Sequence, residues 1–309
     1  MSTLLISHPA CLEHLTPPSH PERPDRLRAV ERALEAEKFQ MLARAEAPMA
    51  PFEIVALCHP MDYITELRDA SPKEGMVQLD ADTSMSPGSF EAALRAAPGG
   101  MLAVDEVVAK NAVNAFVATR PPGHHAETAR PMGFCFFDNA AIAARYAQDH
   151  HGMARVAIVD FDVHHGNGSQ EIFWADKTVM YCSTHQMPLF PGTGAVGESG
   201  DYNTIVNAPL RPGDGAEKFR GAFEDRILPR LDEFKPELVI ISAGFDAHRR
   251  DPLANINLVE DDFAWATLKL MDVADRHAGG RVVSLLEGGY DLQGLANSAT
   301  AHVSALMRG

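Results

Sequence analysis

The stretch RVAIVDFDVHHGNG at 155–168 decides the fold class. Its first half is nearly continuous in apolar residues, as a strand buried on both faces should be. It then turns abruptly polar, at Asp160, Asp162, His164 and His165. Four further runs of the same kind occupy 115–119, 179–183, 238–242 and 282–286. Between them lie stretches with helical spacing at 139–150, 219–234 and 262–277. Asp138 reads as an N-cap for the first of these, and Gly152 stands where a C-terminal glycine belongs. Residues 89–110 are also helical, with Pro98-Gly99-Gly100 expected to kink or split them, and 292–307 form a last helix. Segments 7–24, 70–90 and 184–215 read as loops rich in Pro and Gly. The alternation predicts an α/β fold with a mainly parallel sheet and helices on both faces, one domain across 1–309.

In such sheets ligands bind beyond the carboxyl ends of the strands. The chemistry-bearing residues stand there. In an extended segment Asp160, Asp162 and His164 share one face. Asp and His suit zinc or another first-row divalent metal, and charges at an apolar strand end need partners or an ion. An Asp-x-His triplet alone arises by chance. Ser242-Ala243-Gly244-Phe245-Asp246 adds a third ligand at another strand end. Three protein ligands leave a position open for water or substrate, although Asp246 alone would read as a turn or cap residue. Arg120-Pro121-Pro122-Gly123-His124-His125-Ala126 puts two histidines on a rigid loop, where they can serve as general base and general acid. Leu285-Leu286-Glu287-Gly288-Gly289-Tyr290 lets the chain turn sharply and aim a phenol at the same crevice as an oxyanion donor. Alone, Tyr290 would read as a core tyrosine.

Composition narrows the classes. The chain has 309 residues, 46% hydrophobic, and a net charge of −15, which argues against general nucleic-acid binding. Cys11, Cys58, Cys135 and Cys182 form no Cys-x-x-Cys pair, so they read as buried free thiols in a reducing compartment. No signal peptide or membrane span is read, so the expectation is a cytoplasmic enzyme with no membrane partner. Trp174 and Trp265 read as packing residues, His165 as a satisfied core histidine, and the acidic cluster Glu260-Asp261-Asp262 as a solvated helix start.

Taken together, the motifs resemble the histone deacetylase superfamily, which includes acetylpolyamine amidohydrolases and acetoin-utilisation proteins. Residues 120–126, 133–139, 160–168, 191–194, 243–246 and 287–290 occur in the family's order, and Pro21-Glu22-Arg23-Pro24 extends the likeness towards the N-terminus. The resemblance is strongest to class II deacetylases and their bacterial relatives. It implies an arginase-like fold with a sheet of about eight strands. It also implies Asp162, His164 and Asp246 as zinc ligands, with iron(II) the alternative ion, and His124 and His125 as the catalytic pair. Asp160 is then the partner of His124 and Asn167 that of His125, where class I enzymes carry a second aspartate. Tyr290 is the oxyanion donor. Gly133, Phe134 and Phe190 match the walls of a narrow acyl-lysine channel, Asp82 a rim aspartate, and Arg23 an arginine beneath the metal. Asp160, Asp162, His164, Ser183 and Thr184 match a structural potassium site, and Phe173, Asp176 and Val179 part of a second.

The implied reaction is hydrolysis of an acetylated amine to acetate and free amine, with His125 as base, Tyr290 on the oxyanion and either histidine as acid to the leaving group. Polyamine-selective relatives carry a glutamate seven positions after the last zinc-ligand aspartate. Here that position is Leu253, which favours acetyl-lysine in a peptide or protein over an acetylpolyamine. An arginase-type ureohydrolase with two manganese ions would lack a use for His124-His125 and Tyr290. A binding module with a decayed site would lack one of these groups, and none is missing.

Overall fold

A computed structural model describes residues 2–49 and 51–308. In chain order the strands are β1 (Leu4–Ser7), β2 (Ala43–Glu46), β3 (Val77–Gln78), β4 (Ser84–Met85), β5 (Ala115–Val117), β6 (Val156–Asp160), β7 (Val179–Gln186), β8 (Ile205–Leu210), β9 (Leu238–Ala243) and β10 (Val282–Leu286). The helices are α1 (Pro24–Ala33), α2 (Phe52–Val55), α3 (Met61–Ala70), α4 (Ser89–Val108), α5 (Asn139–His151), α6 (Asn167–Ile172), α7 (Ala216–Ala222), α8 (Leu228–Phe234), α9 (Glu260–His277) and α10 (Leu292–Leu306). Eight strands form one sheet in the order β2-β1-β5-β10-β9-β6-β7-β8, with parallel pairing throughout. This is the arginase-like α/β arrangement. A short antiparallel pair, β3 with β4, stands apart.

Successive strand residues face opposite layers, which is why the central strands are apolar throughout. Ala157 and Val159 of β6 face a core shared with α1, α9 and α10, which includes Phe161, Phe245 and Phe263. Val156 and Ile158 face the other core, shared with α4 and α5. Among the described residues no helix is long and apolar enough to cross a membrane.

Several expectations are corrected. The chain at 205–210, read as loop, is the edge strand β8; Asn207 and Pro209 break its apolar pattern, and an edge tolerates the proline. Helix α4 is not split at Pro98. Gly99 and Gly100 instead bring it close to its neighbours: a Cβ on Gly99 would lie 2.8 Å from Val117 Cγ1, and one on Gly100 would lie 3.0 Å from Ala143 Cβ and from Leu285 Cδ2. The helix read over 219–234 contains a π turn at Phe223–Ile227, just before Pro229, whose missing N–H cannot continue the ladder. In the acidic start of α9, Asp262 is buried rather than solvated, and it accepts from the Val259 N–H at 3.1 Å and Arg220 Nη2 at 2.8 Å.

Candidate active site

Four strands that neighbour one another in the sheet, β5, β10, β9 and β6, deliver the chemistry from their carboxyl ends. Asp162, His164 and Asp246 each offer a ligand atom within 4.8 Å of the others, and all three are buried. His164 Nδ1 lies 3.0 Å from Asp246 Oδ2 and 3.3 Å from Asp162 Oδ1. The Val163 N–H donates to Asp246 Oδ1 at 2.7 Å and the Gly288 N–H to Asp162 Oδ2 at 2.7 Å, which fixes both carboxylates. Only glycine permits the second bond. A Cβ on Gly288 would stand 2.5 Å from Asp162 Oδ2 and closer still to Asp246 Oδ2. Burial disfavours a charged His164, yet the two carboxylates hold its proton up to about 10. The cluster therefore calls for positive charge, and its two oxygens and one nitrogen suit a zinc-like divalent ion with a position left open.

The histidine pair lies against this cluster, ring centroids 4.0 Å apart. His124 Nδ1 is 2.9 Å from Asp160 Oδ2, which also accepts from the Tyr181 hydroxyl at 2.9 Å. His125 Nδ1 is 2.9 Å from Asn167 Oδ1. Burial opposes charge on His124, but Asp160 and Asp162 outweigh it and hold the imidazole well above its ordinary value. Burial, then His124 and His164, push His125 well below. Two neighbouring imidazoles pushed in opposite directions can serve as an acid and a base.

Tyr290 shares with His125 a cavity of about 250 Å³, lined also by Asp82, Gly133, Phe134, His164, Leu189, Phe190 and Leu253. All five residues read from the sequence as substrate contacts are thus brought to one cavity. Phe134 meets Tyr290 at 5.9 Å and Phe190 meets His125 at 5.1 Å, both edge to face. Asp82 Oδ1 accepts from the Gly133 N–H at 3.2 Å. Burial, with Asp246 and Asp162 behind it, keeps the Tyr290 phenol well above its ordinary value against the pull of Arg26, so it remains a donor.

Three groups hold the site together without any signal of that role in the sequence. Glu287 Oε2 accepts from the Gly123 N–H at 2.7 Å and the His124 N–H at 3.2 Å, anchoring the histidine loop; burial pushes this acid up to about 8. Asp251 accepts from the Tyr290 N–H at 2.7 Å and the Leu253 N–H at 3.0 Å. Arg26, not Arg23, lies beneath the site. Arg26 Nε donates to the Gly289 carbonyl at 2.6 Å, and its Cζ is 4.9 Å from the Tyr290 ring centre. Arg23 is 42% exposed and faces Asp25. Buried Glu22 binds both Arg26 and Arg120. An acid or arginine placed by its own sequence motif would have been visible, but these are placed by distant backbone groups.

Ser183 pairs with Asp160 in the β6–β7 register, and the buried Thr184 Oγ1 has no partner among the described residues. At the other grouping, the Asp176 carboxylate is engaged by the Thr178 N–H at 2.6 Å and Arg145 at 2.6 Å, and its carbonyl accepts from Thr204. Phe173 closes α6 and Val179 opens β7 beside it. His165 is satisfied by Thr193 Oγ1 at 2.7 Å and Gln170 Oε1 at 3.0 Å, as a core histidine should be.

Residues 20–306 match the family model for the histone deacetylase domain. A probable deacetylase of Archaeoglobus fulgidus is 38% identical over 318 residues, covering 100% of this chain and 87% of its own length. The histone deacetylase-like amidohydrolase of Pseudomonas aeruginosa is 39% identical over 276 residues, covering 88% of this chain and 72% of its own. Among solved structures, that of the HDA15 HD domain superposes with a TM-score of 0.94 at 35% identity, covering 99% of this chain and 88% of the other.

Proposed function

The chain belongs to the histone deacetylase family, and on that premise we propose that it hydrolyses acetyl-lysine in a peptide or protein, with zinc held by Asp162, His164 and Asp246. The observation that carries this reading is the buried triad set against the His124–His125 pair, with His164, His125 and Tyr290 lining one cavity. The ion, when bound, supplies Lewis-acid polarisation of the acyl carbonyl and lowers the pKa of an attacking water towards about 7. His125, neutral by its surroundings, takes the proton of that water. Tyr290 donates a hydrogen bond to the oxygen that becomes negative at the acyl carbon. A protonated imidazole, His125 in its turn or His124, gives a proton to the departing amine, leaving acetate and lysine. Iron(II) fits the same donors. A structural potassium ion beside Asp160, Asp162, His164, Ser183 and Thr184 is supported by the unpartnered Thr184 hydroxyl. The grouping of Phe173, Asp176 and Val179 already has the Arg145 cation against it, and we propose only the first monovalent site.

Leu253 in the cavity wall supports lysine over a polyamine, since it offers a second ammonium no carboxylate. The alternative is an acetylpolyamine or other small-molecule deacylase. Steady-state rates on an acetyl-lysine peptide and on acetylspermidine decide between them. The peptide should be preferred, and Leu253→Glu should raise kcat/KM for acetylspermidine about two- to fivefold, the scale of a rim ion pair. A wild-type preference for the polyamine contradicts the assignment.

A further inference from the structure

Glu127 follows the tandem histidines and takes no part in the reaction as written above. Its Oε1 accepts from Asn167 Nδ2 at 2.9 Å. The other atoms about that nitrogen are acceptors too: the His125 carbonyl at 3.4 Å and Met132 Sδ at 3.3 Å. Asn167 Oδ1 points the opposite way, to His125 Nδ1 at 2.9 Å. The two ends of an amide have nearly the same shape, so its partners set which end faces which way. Rotated by half a turn, Asn167 would press its oxygen on the Glu127 carboxylate and its NH₂ on His125 Nδ1. In that state only Nδ1 could accept, and the proton of a neutral imidazole would sit on Nε2. With Asn167 turned as it is, its oxygen can only accept, which puts the proton of a neutral imidazole on Nδ1 and leaves Nε2 the lone pair that a base requires.

We propose that Glu127 is a positioning residue that sets the tautomer of His125 by fixing the amide of Asn167. An aspartate at position 167 would present an acceptor whichever way it turned and would need no such partner. Glu127 is itself held in place. Its N–H donates to the Arg130 carbonyl at 3.0 Å, Arg130 returns a bond at 3.4 Å, and Arg130 Nη1 stands 4.0 Å from Glu127 Oε2. Its side chain is 30% exposed, so substitution does not hollow the core.

The kinetic arm of the test rests on the function proposed above. Glu127→Ala should lower kcat on an acetyl-lysine peptide about tenfold, the order of one charge-assisted hydrogen bond, with KM within about twofold. Glu127→Gln, which keeps an acceptor oxygen, should restore kcat to within about twofold of wild type. In an Asn167→Asp background the same Glu127→Ala change should cost less than about twofold, because no amide remains to be turned. An unchanged kcat in Glu127→Ala overturns the proposal, as does a loss in Glu127→Gln equal to that in Glu127→Ala, or a full loss in the Asn167→Asp background. The second arm needs no turnover. Long-range ¹H–¹⁵N spectra of the zinc-loaded, ¹⁵N-histidine-labelled chain report the tautomer, with His125 assigned by the signals lost in His125→Ala. Wild type should show the proton on Nδ1 and Glu127→Ala should show part or all of it on Nε2. An unchanged spectrum overturns the proposal. Should the wild type hydrolyse no acetyl-lysine peptide, the proposed function fails while the spectra still decide the role of Glu127.

Discussion

Tyr290→Phe should lower turnover of an acetyl-lysine peptide about 10²–10³-fold, the loss of about 2.7–4 kcal/mol from one oxyanion donor. The change removes only the hydroxyl. The ring keeps the Arg26 guanidinium over its face at 4.9 Å and Phe134 at its edge, and the backbone keeps its bond to Asp251. The Asp162, His164 and Asp246 cluster does not include Tyr290, so zinc content should stay at the wild-type level. KM should change little, because the bond strengthens only as negative charge gathers on the acyl oxygen. Steady-state kinetics with elemental analysis of the purified variant checks both parts. Turnover within about threefold of wild type would remove Tyr290 from the reaction.

Asp246→Ala should have the larger effect. Losing one of three ligands should weaken zinc binding beyond the roughly 10–100-fold seen when a ligand merely loses an orienting partner. At fixed low zinc, turnover should fall about 10³-fold or more, the value of several kcal/mol of metal-supplied charge stabilisation. The change should cost some fold stability, because it strips the Val163 N–H of its acceptor and His164 of one of its two carboxylates, although burial, and then the charge of Asp162, already push Asp246 up to about 7. The metal-free variant should therefore melt below the metal-free wild type, and only the wild type should gain stability when zinc is added. Zinc-dependent melting curves together with peptide turnover measure this. A variant that binds zinc and turns over at the wild-type level would exclude Asp246 as a ligand.

Much of this site was legible because it sits where strands end. Asp160 ends β6 and Asp162 and His164 follow it, Asp246 follows β9, the histidines follow β5 and Tyr290 follows β10. Each of those strands is buried on both faces, so its sequence is a nearly continuous apolar run, interrupted only by Ser242 in β9 and Ser284 in β10, with polar residues at or beyond its end. β2 was not legible, since three of its four residues are exposed and its apolar face consists of two alanines only. β8 was hidden by Asn207 and Pro209. Glu287 and Asp251 were missed for a different reason. Their partners are backbone N–H groups, and the identity of a residue does not reveal where its N–H points. The choice between Arg23 and Arg26 depended on where α1 begins. With Pro24 opening the helix, Arg23 is left at its exposed entry and Arg26 is carried inward to Glu22 and Gly289.

Titration of the metal-free chain with zinc, followed by hydrolysis of an acetyl-lysine peptide, tests the central claim most directly. Activity should be absent without metal, rise linearly, and stop rising at one zinc per chain, as a single buried Asp162-His164-Asp246 site requires. Full activity in the metal-free chain, or a rise that continues to two ions per chain, would contradict it.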